Sequence, residues 1–207
     1  VTGVQRRTLL LATAAAGVAA ALPTTAASAA TGPSELDELV RAAEQRHGRV
    51  RTGTPSRNGW EMEKVADDRG NVHMRLVPGA PLPGVQIRLG APAAVLVHLV
   101  HRFHCEVDEL HDGDVVGWHS PSSVQRWLPE SNLASGTAVR IRPGHHPVGT
   151  RGGFHPPQVQ AIRGIIADLG NIVRWGGDDT AADEALFYLD IGPDDRRLAQ
   201  VVRRMRL

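Results

Sequence analysis

A single cysteine, Cys105, is present in the 207 residues. No internal disulfide can form, so the fold must rest on its core or on a bound metal. Excess charge of either sign is missing too. The formal net charge is +1, and Arg6 and Arg7 are the only charged residues before residue 31. Such a balance offers nothing for nucleic-acid binding by counterion release. No long apolar run occurs either: the Ala-rich stretch from Thr8 to Leu22 is short and weakly hydrophobic for a membrane span. A phosphate loop, a dinucleotide fingerprint, a Gly-x-Ser-x-Gly elbow and an internal repeat are all absent. Nucleotide-dependent and serine-elbow hydrolase chemistry therefore has no sequence support.

What is present begins with a leader. Arg6-Arg7 precedes Leu9-Leu10-Leu11 and the Ala-rich run, and Ala27-Ser28-Ala29 offers a small-x-small cleavage site. Residues 1–30 read as a twin-arginine-type signal peptide, which predicts an exported protein, secreted or cell-wall associated, with no stable membrane span after processing. A retained N-terminal anchor is the alternative. Residues 31–54 read as an N-terminal helix and linker, and residues 55–207 as one domain with a C-terminal helix.

Periodicity outlines that domain. Ser34-Glu35-Leu36-Asp37 resembles a capping box, opening a helix with Leu36, Leu39, Val40 and Ala43 on one stripe and Gly48 as its stop. Residues 49–60 are rich in turn formers and read as loop. Val72–Val77 and Val85–Leu89 alternate and read as a hairpin with a long loop. Pro92 opens a helix to about Leu110, burying Leu96, Leu99, Phe103, Val107 and Leu110. Short strands follow near Val115, over Thr137–Arg142, over Ile172–Trp175 and over Ala185–Ile191. Pro156-Pro157 opens a helix closed by Gly170, and Asp194-Asp195 caps a last one. Strands and helices in irregular order, without strand–helix–strand alternation, predict an α+β class with an antiparallel sheet of about four strands and packed helices.

Histidines are the obvious metal bait. His98, His101 and Cys105 share the polar face of the Pro92 helix at a spacing that could converge on one ion, or simply face solvent. His145 and His146 are adjacent, and neighbouring side chains in extended chain point apart.

Two stretches carry a more specific signal. The first is Ser131-Asn132-Leu133-Ala134-Ser135-Gly136-Thr137-Ala138-Val139-Arg140. The second is Trp175-Gly176-Gly177-Asp178, followed by Asp183-Glu184-Ala185-Leu186-Phe187. Together they resemble the signature segments of the zinc D-alanyl-D-alanine carboxypeptidase and L-alanyl-D-glutamate endopeptidase family, whose fold is the hedgehog/DD-peptidase fold. That family reads Ser-x-His-x-x-Gly-x-Ala-x-Asp and then Trp-Gly-Gly-Asp, a spacer and Asp-Glu-Met-His-Phe. Asn58-Gly59-Trp60 also matches the start of the domain in the closest branch. The resemblance spans residues 55–192. It implies that Ser131, Gly136, Ala138, Trp175 and Asp178 frame a cleft, and that Glu184 stands at the position of the general base. It also implies that Leu133, Arg140 and Leu186 stand where two His and one Asp would bind zinc. His119-Ser120-Pro121 replaces a Tyr-Arg-Pro segment whose Arg clamps a substrate carboxylate.

Leucine offers no lone pair, and arginine stays charged and repels a cation. Two unit charges 4 Å apart interact by ~4 kcal/mol at an effective dielectric near 20, and zinc carries two. The expectation is therefore a pseudo-peptidase with no metal and no cofactor, binding peptidoglycan peptides or a protein partner, and no nucleic acid. The alternative is an active metallopeptidase acting on peptidoglycan stem peptides with non-standard ligands, such as His98, His101 or His119. If the frame is kept, Leu133 and Leu186 should pack together, and Arg140 should turn to Glu184 in place of the metal.

Overall fold

The computed structural model describes residues 35–205. The expected leader, and Ser34 as first helix cap, lie outside the described residues. The chain is a mixed α/β structure of small antiparallel sheets and several helices. Helix α1 (Glu35–Val50) leads into β1 (Arg51–Pro55), which pairs antiparallel with β2 (Glu61–Glu63). Strands β3 (Val72–Arg75) and β4 (Val85–Arg88) form the expected hairpin, in register from Val72↔Arg88 to Arg75↔Val85. Helix α2 (Ala91–Glu106) follows, with Pro92 in its first turn, where a missing N–H costs nothing.

The central sheet is built from β5 (Val115–Val116), β6 (Ala138–Ile141), β7 (Val173–Trp175) and β8 (Leu186–Leu189), in the order β5-β6-β8-β7 and antiparallel throughout. The short helix α3 (Ser131–Ala134) precedes β6, α4 (Pro156–Asp168) precedes β7, and α5 (Arg196–Met205) ends the described chain. The Asp195 carboxylate accepts from the Arg197 N–H at 2.9 Å, so the expected cap is in place.

Side-chain alternation sorts the sheet into two faces. Val139 and Ile141 of β6, Phe187 and Leu189 of β8, and Val173 and Trp175 of β7 join the main core with Leu96, Leu99 and Phe103 of α2 and Ile162 and Ile165 of α4. Their alternates, Ala138 and Arg140 of β6, Leu186 and Tyr188 of β8, and Arg174 of β7, occupy the other face. There Leu133 of α3 joins Ala138, Leu186 and Tyr188 in a second, smaller apolar cluster. All four residues of β8 are buried. The central strand is covered on both sides, which is why it reads as a continuous run of large side chains.

Two local expectations fail. Residues 51–55, inside the stretch read as loop, form a strand that pairs with a second one at 61–63. Their side chains are mostly polar, with Gly53 and Pro55 among them, so neither alternation nor β-branched enrichment marks them. Helix α1 continues through Gly48 to Val50, and its stripe of Leu36, Leu39 and Val40 is exposed rather than packed. Among the described residues no helix is long and apolar enough to cross a membrane.

Candidate functional site

The first signature stretch is a corner. Leu133 ends in an apolar pocket while the polar side chains around it fasten the N-terminal hairpin. Ser131 Oγ accepts from the Arg57 N–H at 2.9 Å, and Asn132 Oδ1 accepts from the Asn58 N–H at 3.2 Å. Ser135 Oγ bonds both Ser56 Oγ and Thr137 Oγ1, at 2.9 and 2.8 Å. Asn58 Nδ2 donates to Thr137 Oγ1 and to the Leu189 carbonyl, at 2.9 and 2.8 Å. Trp60 Nε1 reaches the Ile191 carbonyl at 2.9 Å. These hydroxyls satisfy one another and neighbouring backbone. Asn58-Gly59-Trp60 thus belongs to the same assembly as the signature, 79 residues away at Ser56–Ser135.

Gly136 makes the turn between α3 and β6 at φ 67°, and a Cβ there would lie 2.7 Å from the Arg88 backbone nitrogen. Only glycine suits both conditions. Arg88 is itself buried, reaching the Ser135 carbonyl at 2.8 Å and the buried carboxylate of Glu63 at 3.1 Å. Burial pushes the Arg88 pKa down, and Glu63 opposes the shift.

The second stretch is a clamp. Trp175 Nε1 donates to the Glu184 carbonyl at 2.7 Å, and a Cβ on Gly177 would strike the Trp175 ring at 2.4 Å. A Cβ on Gly176 would lie 2.5 Å from the Asp183 carbonyl oxygen. The two glycines let the Trp-Gly-Gly turn close against Asp183-Glu184. Asp178, expected in the cleft frame, is exposed and pairs with Arg163 at 3.1 Å. Its neighbour Asp179 is the inward one, accepting from Tyr188 Oη at 2.9 Å and Arg174 Nε at 2.7 Å. Burial, followed by the Asp179 hydrogen bond, holds the Tyr188 phenol well above its ordinary pKa.

The positions matching the metal ligands do come together. Leu133 and Leu186 share the second apolar cluster, and Arg140 is the cross-strand partner of Leu186. Arg140 does not turn to Glu184. Its Nε and Nη2 donate to Asp183 Oδ2, at 3.1 and 2.7 Å, and Nη2 lies 3.5 Å from Glu130 Oε2. The reason is that Glu184 is already satisfied. Its two carboxylate oxygens accept the backbone N–H groups of Gly152 and Gly153, at 2.7 and 2.8 Å. The loop from Pro143 to Gly153 thus straps over this carboxylate. It is held further by Arg151, which donates to the Gly177 carbonyl at 2.6 Å, and by the Gly149 N–H on the Ala182 carbonyl at 2.7 Å.

The side chain that sequence reasoning undervalued is His146. Its ring stacks on Phe154 with centroids 3.9 Å apart, and its Nδ1 lies 3.8 Å from Glu184 Oε2. Burial pushes the His146 pKa down, with Glu184 opposing and Arg142 and His145 reinforcing. Histidine adjacent to histidine in a loop gives no period, so the sequence marks the pair without showing which ring turns inward.

The His98, His101 and Cys105 group lies apart from this place. His98 and His101 ride on α2, which packs on the opposite face of the sheet, and His101 Nδ1 lies 2.8 Å from the Pro78 carbonyl. Cys105 Sγ is 3.9 Å from His101 Nε2. His119 is near the cleft: burial, then Arg140, lowers its pKa while Glu130 raises it. Among the described residues no group of three His, Cys, Asp or Glu side chains is assembled to hold a metal.

Alongside the cluster is a pocket of about 60 Å³, lined by Leu128, Pro129, Glu130, Val148, Asp183 and Leu186 among others. A neighbouring pocket shares Leu128, Pro129, Asp179 and Ala181 with it and is also lined by Trp127, a largely exposed indole over which the Arg126 guanidinium stacks at 4.6 Å. No family model, curated protein or solved structure matches the chain.

Proposed function

We propose that this protein is an exported, non-catalytic relative of the zinc D-alanyl-D-alanine carboxypeptidases and L-alanyl-D-glutamate endopeptidases, with their hedgehog/DD-peptidase fold, and that its cleft binds peptidoglycan stem peptides in the cell wall. One observation carries the reading: residues 133, 140 and 186, chosen by motif from two distant stretches, meet on one face of one sheet. The same two stretches supply the glycines and the tryptophan that shape this corner. The twin-arginine signal-like pattern of residues 1–30 supports the cell-wall location.

The residues present at the ligand positions do not fit zinc. Two are leucines in an apolar cluster, and the third is a guanidinium 2.7 Å from a carboxylate. A hydrolytic zinc site needs three donors and an open position for water. Glu184, at the position of the base, has both oxygens occupied by backbone N–H groups, and no step of hydrolysis is assigned to it.

The test is retention of purified protein on isolated cell walls, with metal content and peptide hydrolysis measured on the same sample. Saturable retention, displaced by soluble stem peptide, with no release of D-alanine, is the expected result. Absence of retention would overturn the binding role. Stoichiometric zinc, lost together with hydrolysis on chelation, would overturn the non-catalytic reading and favour a metallopeptidase with other ligands.

A further inference from the structure

We infer that helix α1 is a self-association surface, and that its partner is α1 of a second copy of this chain, laid antiparallel across a two-fold axis. The inference stands apart from the proposed function and uses no residue of the cleft.

The rest of the molecule holds α1 at its C-terminal end, where Val50 is buried and its carbonyl accepts the Lys64 N–H at 2.8 Å. The apolar stripe faces solvent. Leu36, Leu39 and Val40 are 67, 59 and 47 % exposed, and Ala43 continues them one turn on. Positions 36, 39, 40 and 43 have the spacing of a helix face that packs on something, yet no described residue buries it. A helix of this length draws little stability from propensity and depends on packing of its apolar face. Nothing at its far end blocks an approach: a Cβ on Gly48 would meet no atom within 4 Å.

Charge says what fits there. Glu35, Asp37 and Glu38 make the first turn acidic. Past Val40, Arg41, Arg46 and Arg49 outnumber Glu44. The helix is negative at one end and positive at the other, so a uniformly acidic or basic partner meets like charge at one of them. A second copy running the opposite way meets opposite charge at both. A parallel copy sets acid on acid and base on base. In the antiparallel pair, Leu39 of each copy packs on Ala43 of the other, and the two Val40 side chains meet on one flank. Glu35 comes beside Arg49 of the second copy, twice by symmetry. Leu36 lies along the aliphatic stem of Arg46 of the second copy. At ~1.5 Å per residue α1 is ~24 Å long, and one such helix pair falls below the ~1,200 Å² of total area that stable complexes bury. The dimer is therefore reversible and concentration-dependent.

The experiment is sedimentation equilibrium of the full chain from about 10 μM to about 1 mM, the range in which an interface of this size titrates. A monomer–dimer equilibrium is the expected result. The double substitution Leu36→Glu with Leu39→Glu should weaken it at least tenfold and leave the melting temperature of dilute protein unchanged, because both side chains are exposed in the monomer. Glu35→Arg and Arg49→Glu, each alone, should weaken it severalfold. An equimolar mixture of those two variants should regain the parent affinity, because each supplies the charge the other lacks. A chain that stays monomeric throughout, or a dimer indifferent to the leucine substitutions, would overturn the inference. Loss of the dimer with the leucines but indifference to both charge reversals would overturn the antiparallel pairing. A monomeric chain whose Leu36→Glu/Leu39→Glu form melts at lower temperature would show that residues 1–34 of the same chain cover the stripe, and would overturn it too.

Discussion

Replacing Arg140 by alanine removes the only cation paired with Asp183 among the described residues. The pair is nearly enclosed, the side chains being 15 % and 9 % exposed. After Arg140→Ala, neither oxygen of Asp183 keeps a partner, because Oδ1 has none to begin with. Breaking a buried pair by deleting one member costs ~3–5 kcal/mol, since the remaining charge stays desolvated. The residual exposure of this pair and the freedom of Glu130 to turn to water set the expectation at the lower end, ~3 kcal/mol. For a domain of this size ~1 kcal/mol moves the melting temperature by ~2–4 °C, so the loss should be about 6–12 °C. Arg163→Ala is the internal control. Arg163 and Asp178 form an ion pair of similar length, 3.1 Å, but are 63 % and 47 % exposed. That substitution should cost less than ~1 kcal/mol. Urea and thermal melts followed by circular dichroism at neutral pH measure both. The double substitution Arg140→Met with Asp183→Leu should recover most of the loss, because apolar side chains of similar volume replace a buried pair at little cost. If Arg140→Ala costs no more than Arg163→Ala, the pair is solvated in practice and the reasoning fails.

Three further outcomes follow from the same corner. Burial holds His146 below the ordinary histidine pKa of 6.5, as it does His98 and His119. The unfolded chain therefore binds more protons than the native one as pH drops through 6.5, and stability should be flat above that value and fall below it. His146→Phe should make that decline shallower in urea midpoints compared at pH ~7.5 and ~5. Gly153→Ala would place a Cβ 2.5 Å from His146 Nδ1 and 2.9 Å from Glu184 Oε2. It should cost ~1–3 kcal/mol by overpacking and loosen the strap over Glu184, seen as faster amide exchange at Gly152 and Gly153. The triple change Leu133→His, Arg140→Asp, Leu186→His should confer zinc binding at least tenfold tighter than the parent by calorimetry, since the three positions already converge. No gain in affinity would mean the convergence is too loose for a tetrahedral ion.

Much of the architecture was legible because it obeys simple periods. Leu96, Leu99 and Phe103 fall at helical spacing, and Val139, Ile141, Phe187 and Leu189 alternate, so α2 and the central strands announce themselves. The packing of Leu133 with Leu186 followed from the motif frame alone. What stayed hidden depends on distance rather than period. Arg140 lies against Asp183 and Glu130 instead of Glu184, whose oxygens are taken by two backbone N–H groups on Gly152 and Gly153 that no pattern in the chain relates to it. The strand Arg51–Pro55 was hidden because its side chains meet polar partners, so it has no apolar face to alternate. The inward place of Asp179 was hidden for a similar reason: it and Asp178 are adjacent aspartates that differ only in which way the turn points them.

The fastening of the β1–β2 hairpin has a consequence for the order of folding. A two-stranded hairpin alone is marginal in water. This one is held by Ser135, Thr137 and the Leu189 carbonyl, whose partners Ser56 and Asn58 lie 79 to 131 residues earlier. Those anchoring groups are not in position until β6 and β8 have paired. The β1–β2 hairpin therefore settles after the central sheet, once its longest loops have closed. Under mild destabilisation it is also the first to leave, exposing the polar backs of Ser131 and Ser135 while the sheet stays paired. Hydrogen exchange should find residues 51–63 opening as a unit, well before the strands they lean on.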